Sequence, residues 1–569
     1  MSWKLRQRVR ARLAREGGFP FRDRAVPVRW VLAFPNLYWL GMSNLGWQTL
    51  YRRLNEHPAS LCERVFLPER EELAEYRRTG TALFTWETQR PVREADILGF
   101  SLSFELDYLH VLTLLELAGI ALRCSERGED EPLVLAGGPS VTGNPEPLVN
   151  FIDAFVIGEG EEVVQEITEV VAGTLERGAR LERLAQIEGV YVPAVQRPTG
   201  TEKVVVRKRW LSDLEAAATG SVFLTPDTEF GGKYLIEVTR GCTRGCRFCL
   251  AGYIFRPPRE RAAETIVSCA TKGLRQSRGI GLIGAAVTEH SAIEEVCTQL
   301  QAAGAEIALS SLRAENVTPR LLQTVYESGQ RTLTLAPETG TEDLRRRLNK
   351  DLTDEQLLAA AVLAGEMGFP YLRLYFMVGL PGETEEDVRA IPALAERLWE
   401  GGSFQRVTLS VSPFVPKAGT PFQWVPLEPQ RGLEAKLRHL RKLVKGKPYL
   451  EVRGESPKWA IIQGLLARGG REVGEVLWRA HGYGGTYGAW RRAWQELGYD
   501  LQGHLHTPWT YDTPLPWAHL DLLVDQDYLW REYKHAQEGK LSSACTVGKC
   551  FACGACEGVE TSAVKFALE

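Results

Sequence analysis

The sequence has little net charge, no long apolar run and few cysteines outside two short clusters. Over 569 residues the formal net charge is only −4, which argues against a polyanion-binding surface over the whole molecule. No uninterrupted apolar run reaches the length of a membrane-spanning helix, and residues 1–12 lack the apolar core of a secretory signal. We therefore expect a cytoplasmic protein without a membrane segment, on which any nucleic-acid surface is local.

The placement of the scarce cysteines excludes a secreted disulfide framework. Seven of the 11 cysteines lie in two tight clusters, whereas Cys62, Cys124, Cys269 and Cys297 are scattered. Clustered thiols of this kind are typical of metal binding in a reducing compartment.

The first cluster consists of Cys242, Cys246 and Cys249 and directly follows an apolar, β-branched run at 234–239. Three thiolates so close in sequence can surround one metal centre, and soft sulfur ligands favour an iron–sulfur cluster, zinc or Cu(I). Structural zinc sites close with four ligands, whereas this local set stops at three. A 4Fe–4S cluster held by three cysteines leaves one iron open for chemistry.

The C-x3-C-x2-C spacing, with the aromatic Phe248 before its last cysteine, resembles the radical S-adenosylmethionine (radical SAM) superfamily. The resemblance implies that Cys242, Cys246 and Cys249 hold a 4Fe–4S cluster whose open iron binds SAM. It also implies that an electron from a reductant such as flavodoxin or ferredoxin cleaves SAM into methionine and a 5′-deoxyadenosyl radical. That radical would take a hydrogen atom from a substrate. The alternatives are a chance cysteine cluster and a zinc loop.

Six strands alternating with helices are predicted around this cluster, which indicates a partial (β/α)6 barrel of TIM type, open on one side. In such barrels the chemistry collects at the C-terminal ends of the strands, where the cysteine loop stands. The predicted strands are 234–239, 280–284, 306–311, 332–337, 371–376 and 406–411, and the predicted helices are 262–274, 292–302, 319–327, 354–367 and 385–399.

The resemblance also suggests SAM contacts at the other strand ends. Gly284 begins Gly-Ala-Ala where radical SAM proteins often carry Gly-Gly-Glu, so the acid is missing. Arg313 could pair with the methionine carboxylate, because a guanidinium fork matches that group. Glu338 could face the sulfonium or amino group, and Gly379 could border the adenine. Each residue could instead be structural, in a salt bridge, a helix entry or a turn.

Ahead of the barrel, strands at 28–34, 97–103, 133–140 and 154–161 alternate with helices and predict an open, Rossmann-like parallel sheet. Its strand ends resemble the cobalamin-binding domain found before many radical SAM cores. Ser101 stands at the Ser-x-Leu element, and Gly137 and Gly138 match the glycine pair. Such domains can carry Asp-x-His-x-x-Gly, but residues 36–46 contain no histidine. The resemblance therefore implies either cobalamin without a ligand from this loop or the fold alone.

Three further features lie beyond the barrel. A basic amphipathic helix at 433–447 could contact phosphate or form a solvated face. The helical region 455–540 is rich in tryptophan and histidine, which could stack on single-stranded bases or fill a core. The tail carries Cys545, Cys550, Cys553 and Cys556. Its compact spacing resembles a ferredoxin-type loop and predicts a second iron–sulfur cluster, with zinc as the alternative.

The chain is too long for one ordinary core, and its patterns divide it into six segments. These are a basic lead-in (1–24), a cobalamin-binding-like α/β domain (25–175), a β-rich connector (176–225), the radical SAM barrel (226–430), a mostly helical region (431–540) and a cysteine-rich tail (541–569).

The function predicted from these features is a radical SAM iron–sulfur enzyme that modifies a macromolecule, with methylation of RNA or sulfur insertion into RNA as the first hypothesis. One alternative is a radical SAM enzyme acting on a small molecule or cofactor precursor. Another is a non-catalytic iron–sulfur or zinc protein that transfers electrons.

Overall fold

The computed structural model describes residues 2–19, 21–196, 205–217, 220–310, 312–545 and 553–556. The chain forms two compact units, each assembled from separate stretches. The first unit takes Met1–Tyr234, Gly469–Tyr499 and Pro514–Leu522, and the second takes Leu235–Arg468, Asp500–Thr513 and Leu523–Glu569. The division into six segments stays a prediction.

The strands are β1 Gly17–Gly18, β2 Val28–Phe34, β3 Ser60–Phe66, β4 Ile97–Ser101, β5 Leu133–Gly137, β6 Ala154–Val156, β7 Val190–Tyr191, β8 Val206–Arg207, β9 Phe223–Leu224, β10 Tyr234–Glu237, β11 Thr239–Arg240, β12 Arg259–Glu260, β13 Gly279–Ile283, β14 Glu306–Leu309, β15 Thr332–Glu338, β16 Tyr371–Val378, β17 Arg406–Pro413, β18 Leu450–Gly454 and β19 Leu520–Asp521.

The α-helices are α1 Trp3–Leu13, α2 Tyr38–Gly41, α3 Leu45–Glu56, α4 Arg70–Thr79, α5 Tyr108–Ala118, α6 Pro139–Gly143, α7 Val163–Ala172, α8 Arg177–Leu184, α9 Ala251–Ile254, α10 Ala263–Gly273, α11 Ile293–Ala302, α12 Pro319–Glu327, α13 Glu342–Arg347, α14 Asp354–Glu366, α15 Glu385–Gly402, α16 Gln430–Leu443, α17 Pro457–Arg468, α18 Val473–Gly482, α19 Tyr487–Glu496, α20 Leu501–Leu505 and α21 Gln526–Glu538.

The first unit is built on a six-stranded sheet of order β3-β2-β4-β5-β6-β7. Strands β2 to β6 are parallel, and β7 runs antiparallel to β6. The predicted open parallel sheet is confirmed. Strand β3 pairs with one edge of β2 and β4 pairs with the other edge. The direction in which successive strands are added to the sheet therefore reverses at β2. In sheets of this type such a reversal opens a crevice at the carboxyl ends of the strands.

The second unit repeats strand and helix along the chain. Strands β10, β13 and β14 form one sheet, and β15 to β18 form another in chain order. All six predicted barrel strands are present, and helices lie between them as expected. The prediction missed a seventh strand, β18, which pairs parallel to β17. Within the described ranges no ladder joins β14 to β15, so the barrel strands lie in two sheets.

The region after the barrel is mostly helical, as predicted. Its aromatic side chains divide by location: Trp490, Trp494 and Trp517 are buried, whereas Trp459 and Trp478 are 40% and 38% exposed. Burial of the first three favours a core role for them over base stacking. Among the residues described, none of the helices has both the length and the apolar character needed to cross a membrane.

Candidate active site

The cysteine loop leaves the first barrel strands through a turn that requires glycine. Gly241 has a φ of +82°, and a Cβ there would lie 2.5 Å from the Phe255 carbonyl oxygen, so a side chain would be excluded. The loop then carries Cys242 and Cys249, both partly exposed, and Cys246, which is buried. The three thiols therefore stand where barrel enzymes place their chemistry.

The thiols share a confined, partly buried region. Burial, Glu289 and Cys246 raise the pKa of Cys242 to about 12, and burial and Cys246 raise the pKa of Cys249 to about 11. In the described part of the chain, no three Cys, His, Asp or Glu side chains are gathered tightly enough for one metal ion. Three neighbouring thiols suit a cubane, which can leave one iron without a protein ligand, whereas a structural zinc site closes with four ligands.

Glu289 anchors the cysteine loop and was missed from the sequence. It ends a short 3-10 helix, Val287–Glu289. It accepts hydrogen bonds from Thr243 Oγ1 (2.7 Å) and Arg244 Nε (2.6 Å). The Gly-Ala-Ala segment after β13 has no acid, and Glu289 is the first carboxylate after it. That position is the signal in the sequence that could have predicted Glu289 as a site residue.

Arg313 lies in the same network, and its contact with SAM stays a prediction. It pairs with Glu315 (2.6 Å) and Glu289 (3.4 Å). Burial alone would lower the pKa of Arg313, but Glu315, Cys246 and Glu289 raise it above its usual range. Glu315 Oε2 is buried and accepts no hydrogen bond from the residues that the structure describes. One carboxylate oxygen close to the cysteine loop is thus open to a donor.

Glu338 borders the same loop from the end of β15. It adopts a φ of +71°, a left-handed conformation that is uncommon outside glycine, and it binds Lys350 Nζ at 3.1 Å. Burial works to lower the pKa of Lys350, whereas Glu338 and Cys246 raise it above its usual range. The structure therefore brings Arg313, Glu338 and the unpredicted Lys350 together around Cys246.

Packing or backbone conformation explains the residue types at the other positions predicted to contact SAM or the cluster. A Cβ at Gly284 would lie 2.2 Å from Thr239 Oγ1. Gly379 has a φ of +84°, and its N–H donates to Glu383 (2.8 Å). Phe248 packs against the apolar cluster of Leu344, Leu348, Leu380, Phe414, Phe422, Val425 and Ala536. A contact of Gly284, Gly379 or Phe248 with cofactor stays a prediction.

A buried network ties the chain after α21 to the cysteine loop. The Arg247 side chain is fully buried and pairs with Glu532 at 3.1 Å, and it donates to the Lys540 carbonyl at 2.8 Å. Asn349 bridges the two segments, because its Nδ2 donates to the Gly245 carbonyl (3.1 Å) and its Oδ1 accepts from the Ser542 N–H (2.8 Å). We call residues 540–545 the strap. Its partners were not predicted.

Three of the four predicted tail cysteines lie within the described residues. Cys545 is partly exposed, Cys553 is buried and Cys556 is exposed, whereas Cys550 lies outside the described residues. The Cys545 N–H donates to the Thr243 carbonyl at 2.8 Å, so the tail reaches the first cysteine loop.

In the first unit, the strand ends proposed for cobalamin come together. Ser101 and Gly137 are register partners in β4 and β5. Gly138 has a φ of +111°, and a Cβ there would lie 2.5 Å from the Leu102 carbonyl oxygen, so close backbone packing already requires glycine. A histidine lies near the loop that lacks one, since His110 Nδ1 is 2.9 Å from the Pro35 carbonyl oxygen.

The basic helix is α16, and one of its cations is not available to a phosphate. Lys436 Nζ lies 2.6 Å from Glu383 and 2.5 Å from Glu428, so this lysine of the predicted basic face is already paired with two carboxylates. Arg441 and Lys442 in this helix, and Lys445 just after it, are exposed.

Two family models match the chain. The model described as radical SAM proteins, N-terminal, matches residues 46–193, and the radical SAM superfamily model matches residues 236–395. The chain belongs to the radical SAM superfamily and is an enzyme of that class. The cofactors of the family are a 4Fe–4S cluster and SAM. The resemblance drawn from the cysteine spacing is thus confirmed.

Three individual relatives each share less than 30% sequence identity with this chain. The uncharacterised protein MJ0966 of Methanocaldococcus jannaschii is 29% identical over 409 residues, 71% of this chain and 85% of its own length. The tRNA-2-methylthio-N(6)-dimethylallyladenosine synthase of Methylococcus capsulatus is 26% identical over 262 residues, 42% of this chain and 56% of its own. The ribosomal protein uS12 methylthiotransferase RimO of Syntrophobacter fumaroxidans is 25% identical over 303 residues, 48% of this chain and 67% of its own.

Among solved structures, the cobalamin-dependent SAM radical enzyme OxsB with aqua-cobalamin and SAM bound gives a TM-score of 0.45 at 17% identity. The match covers 64% of this chain and 51% of OxsB.

Proposed function

We propose that Cys242, Cys246 and Cys249 hold the 4Fe–4S cluster of this radical SAM enzyme. The observation that carries the proposal is the loop itself, which places three thiols together at a barrel strand end beside the cations Arg313 and Lys350. When a metal displaces the thiol protons, these two cations can balance part of the negative charge of the thiolates. When bound, the cluster supplies one electron to SAM and so cleaves the bond between the sulfur and the 5′ carbon.

The surrounding side chains are proposed to bind and orient SAM. Glu289 holds the loop through hydrogen bonds from Thr243 and Arg244. The Arg313 guanidinium can release one of its glutamate partners and bind the methionine carboxylate of SAM instead. The open oxygen of Glu315 suits the SAM ammonium, because a carboxylate accepts strong hydrogen bonds from a charged donor. The pair of Glu338 and Lys350 borders the same space.

For the substrate, we infer a macromolecule, with RNA as the first candidate and transfer of a methyl or methylthio group as the reaction. The support is that relatives matching part of this chain include a tRNA methylthio-modifying synthase and a ribosomal protein methylthiotransferase. The exposed cations Arg441, Lys442 and Lys445 supply a local surface for phosphate. A small-molecule substrate is the alternative.

Cobalamin is proposed as a ligand of the first unit, at the carboxyl edge where β2 and β4 meet. Two large aromatic side chains near that edge, Trp39 and Phe104, are 44% and 42% exposed. Exposed aromatic rings beside glycine-rich strand ends suit a flat macrocycle. Loop 36–46 would contribute no histidine ligand to it.

The first experiment tests the cluster ligands. The protein is reconstituted with iron and sulfide without oxygen, SAM and a strong reductant are added, and 5′-deoxyadenosine is measured. Cys242→Ala, Cys246→Ala and Cys249→Ala should each abolish the product, whereas the control Cys269→Ala, in helix α10, should keep it. Product formation by the three loop variants at the parent's rate would contradict the assignment.

The second experiment tests RNA. Binding of unfractionated tRNA is compared between the parent and a variant carrying Arg441→Ala, Lys442→Ala and Lys445→Ala. The matched control replaces the exposed cations Lys272, Arg275 and Arg320. Because phosphate contacts are additive and salt-dependent, the first variant should bind more weakly and with a smaller salt slope. Equal affinity in all three proteins would favour a small-molecule substrate.

A further inference from the structure

The cysteine-rich tail reaches the first cysteine loop through a direct backbone contact. The Cys545 N–H donates to the carbonyl of Thr243 at 2.8 Å, and Thr243 is the residue after Cys242. The two cysteine groups, more than 290 residues apart in sequence, are therefore neighbours in the second unit.

This contact is the end of a longer attachment. Before Cys545, the strap is held by Arg247 through the Lys540 carbonyl and by Asn349 through the Ser542 N–H. The Ser542 hydroxyl also donates to Glu532 at 2.8 Å. Because these bonds are buried or partly buried and include a charged pair, they fix the approach of Cys545 more firmly than one surface contact would.

A buried cation lies beside the tail thiols. The Arg256 guanidinium stacks 4.6 Å from the Tyr253 ring centre and 5.7 Å from that of Tyr528. Cys545 and Cys553 lie close enough to this guanidinium to interact with it electrostatically.

Cys553 and Cys556 lie on one tight turn. Gly554 between them has a φ of +87°, and a Cβ there would approach Asp525 Oδ1 at 2.9 Å. The Asp525 N–H in turn donates to the Cys553 carbonyl at 2.9 Å. Cys553 and Cys556 have the C-x2-C spacing that iron–sulfur loops use.

We propose that Cys545, Cys553 and Cys556 hold a second iron–sulfur centre directly beside the first one. The proposal rests on the assignment of the first cluster to Cys242, Cys246 and Cys249. The strap is then the element that sets the spacing of the two centres.

The test compares metal content in the full chain after anaerobic reconstitution with iron and sulfide. The variants are Cys553→Ser with Cys556→Ser (tail variant), Cys242→Ser with Cys246→Ser and Cys249→Ser (loop variant), and Cys124→Ser with Cys269→Ser (control variant). Iron, sulfide and zinc are measured per chain, and circular dichroism checks that each variant is folded.

The parent and the control should hold about twice the iron of the tail variant, since each centre contributes its own irons. The tail variant should keep the change in its electron paramagnetic resonance spectrum on addition of SAM, and the loop variant should lose it. Parental iron in the tail variant, or zinc that only the tail variant loses, would overturn the proposal. Parental iron in the loop variant would instead overturn the assignment of the first cluster to Cys242, Cys246 and Cys249. The iron content of the tail variant would still test the second centre.

A second readout tests the proximity. Two paramagnetic centres that lie side by side broaden each other's resonance, so the reduced parent should give broader, faster-relaxing signals than either variant alone. A parent spectrum equal to the sum of the tail-variant and loop-variant spectra would refute the placement of the two centres.

Discussion

Removing the buried arginine of the cysteine loop should destabilise the second unit strongly. The side chain of Arg247 is 0% exposed and that of its partner Glu532 is 4% exposed. Arg247 also donates to the carbonyls of Arg347 (2.9 Å) and Lys540 (2.8 Å). Arg247→Met keeps much of the side-chain volume but leaves the buried Glu532 carboxylate without its arginine partner. Such a loss costs about 3–5 kcal/mol.

The free energy of unfolding is measured in urea for the parent, Arg247→Met, Glu532→Gln and the double variant. Because two units need not unfold in one step, amide exchange in β13 and β15 provides a local reading of the second unit. Arg389→Met is the matched control, since Arg389 and Glu385 form a pair whose side chains are 60% and 69% exposed. An exposed pair contributes only about 0–1 kcal/mol.

The double variant should cost less than the sum of the two single variants, because the second substitution removes the charge that the first left unpaired. Arg247→Met should also lower the iron retained after reconstitution, since it frees the strap from the cysteine loop. The reasoning fails if Arg247→Met costs no more than the control and holds parental iron.

Two further predictions follow from individual carboxylates. Glu315→Gln should weaken SAM binding roughly 10- to 150-fold, since a hydrogen bond to a charged group contributes ~1.5–3 kcal/mol. The exposed control Glu327→Gln should bind SAM as the parent does, and equal weakening in both would contradict the assignment. In the first unit, hydrogen bonding from Arg123 holds the pKa of Glu475 below its usual range, so this pair stabilises the fold above about pH 4 and the effect is lost as the pH falls through the lowered pKa. Thermal unfolding midpoints should therefore fall less between neutral and acidic pH for Glu475→Gln than for the parent, and identical profiles would rule the pair out as a contributor.

Strands with apolar faces could be predicted from the sequence, but one with internal charges could not. β3 was missed because it carries Glu63 and Arg64, both almost fully buried. Arg64 is neutralised by Glu16 (2.8 Å) and Glu87 (2.5 Å), and Glu63 accepts from Thr88 (2.6 Å). These partners are distant in sequence. The local sequence pattern, with two adjacent charged residues, therefore indicates a surface segment rather than a buried strand.

The residues of the candidate site also divide into those that the local sequence predicts and those that depend on distant partners. The cysteine spacing identifies its own loop, because three thiols in one short segment need no distant information. Glu289, Lys350 and Asn349 become site residues only through the packing of β13, β15 and the strap around that loop. The basic face of α16 was overestimated for the same reason, since Glu383 and Glu428, the acceptors for Lys436, lie outside that helix.

The attachment of the strap to the cysteine loop also orders events during synthesis. A ribosome releases residues 242–249 long before residues 540–545, and domains generally begin to fold as they emerge. Until then Arg247 lacks Glu532 and the Lys540 carbonyl, and the Thr243 carbonyl lacks the Cys545 N–H. We expect the loop to reach its final surroundings only when almost the whole chain is available, so that cluster insertion belongs to the finished polypeptide rather than the nascent one.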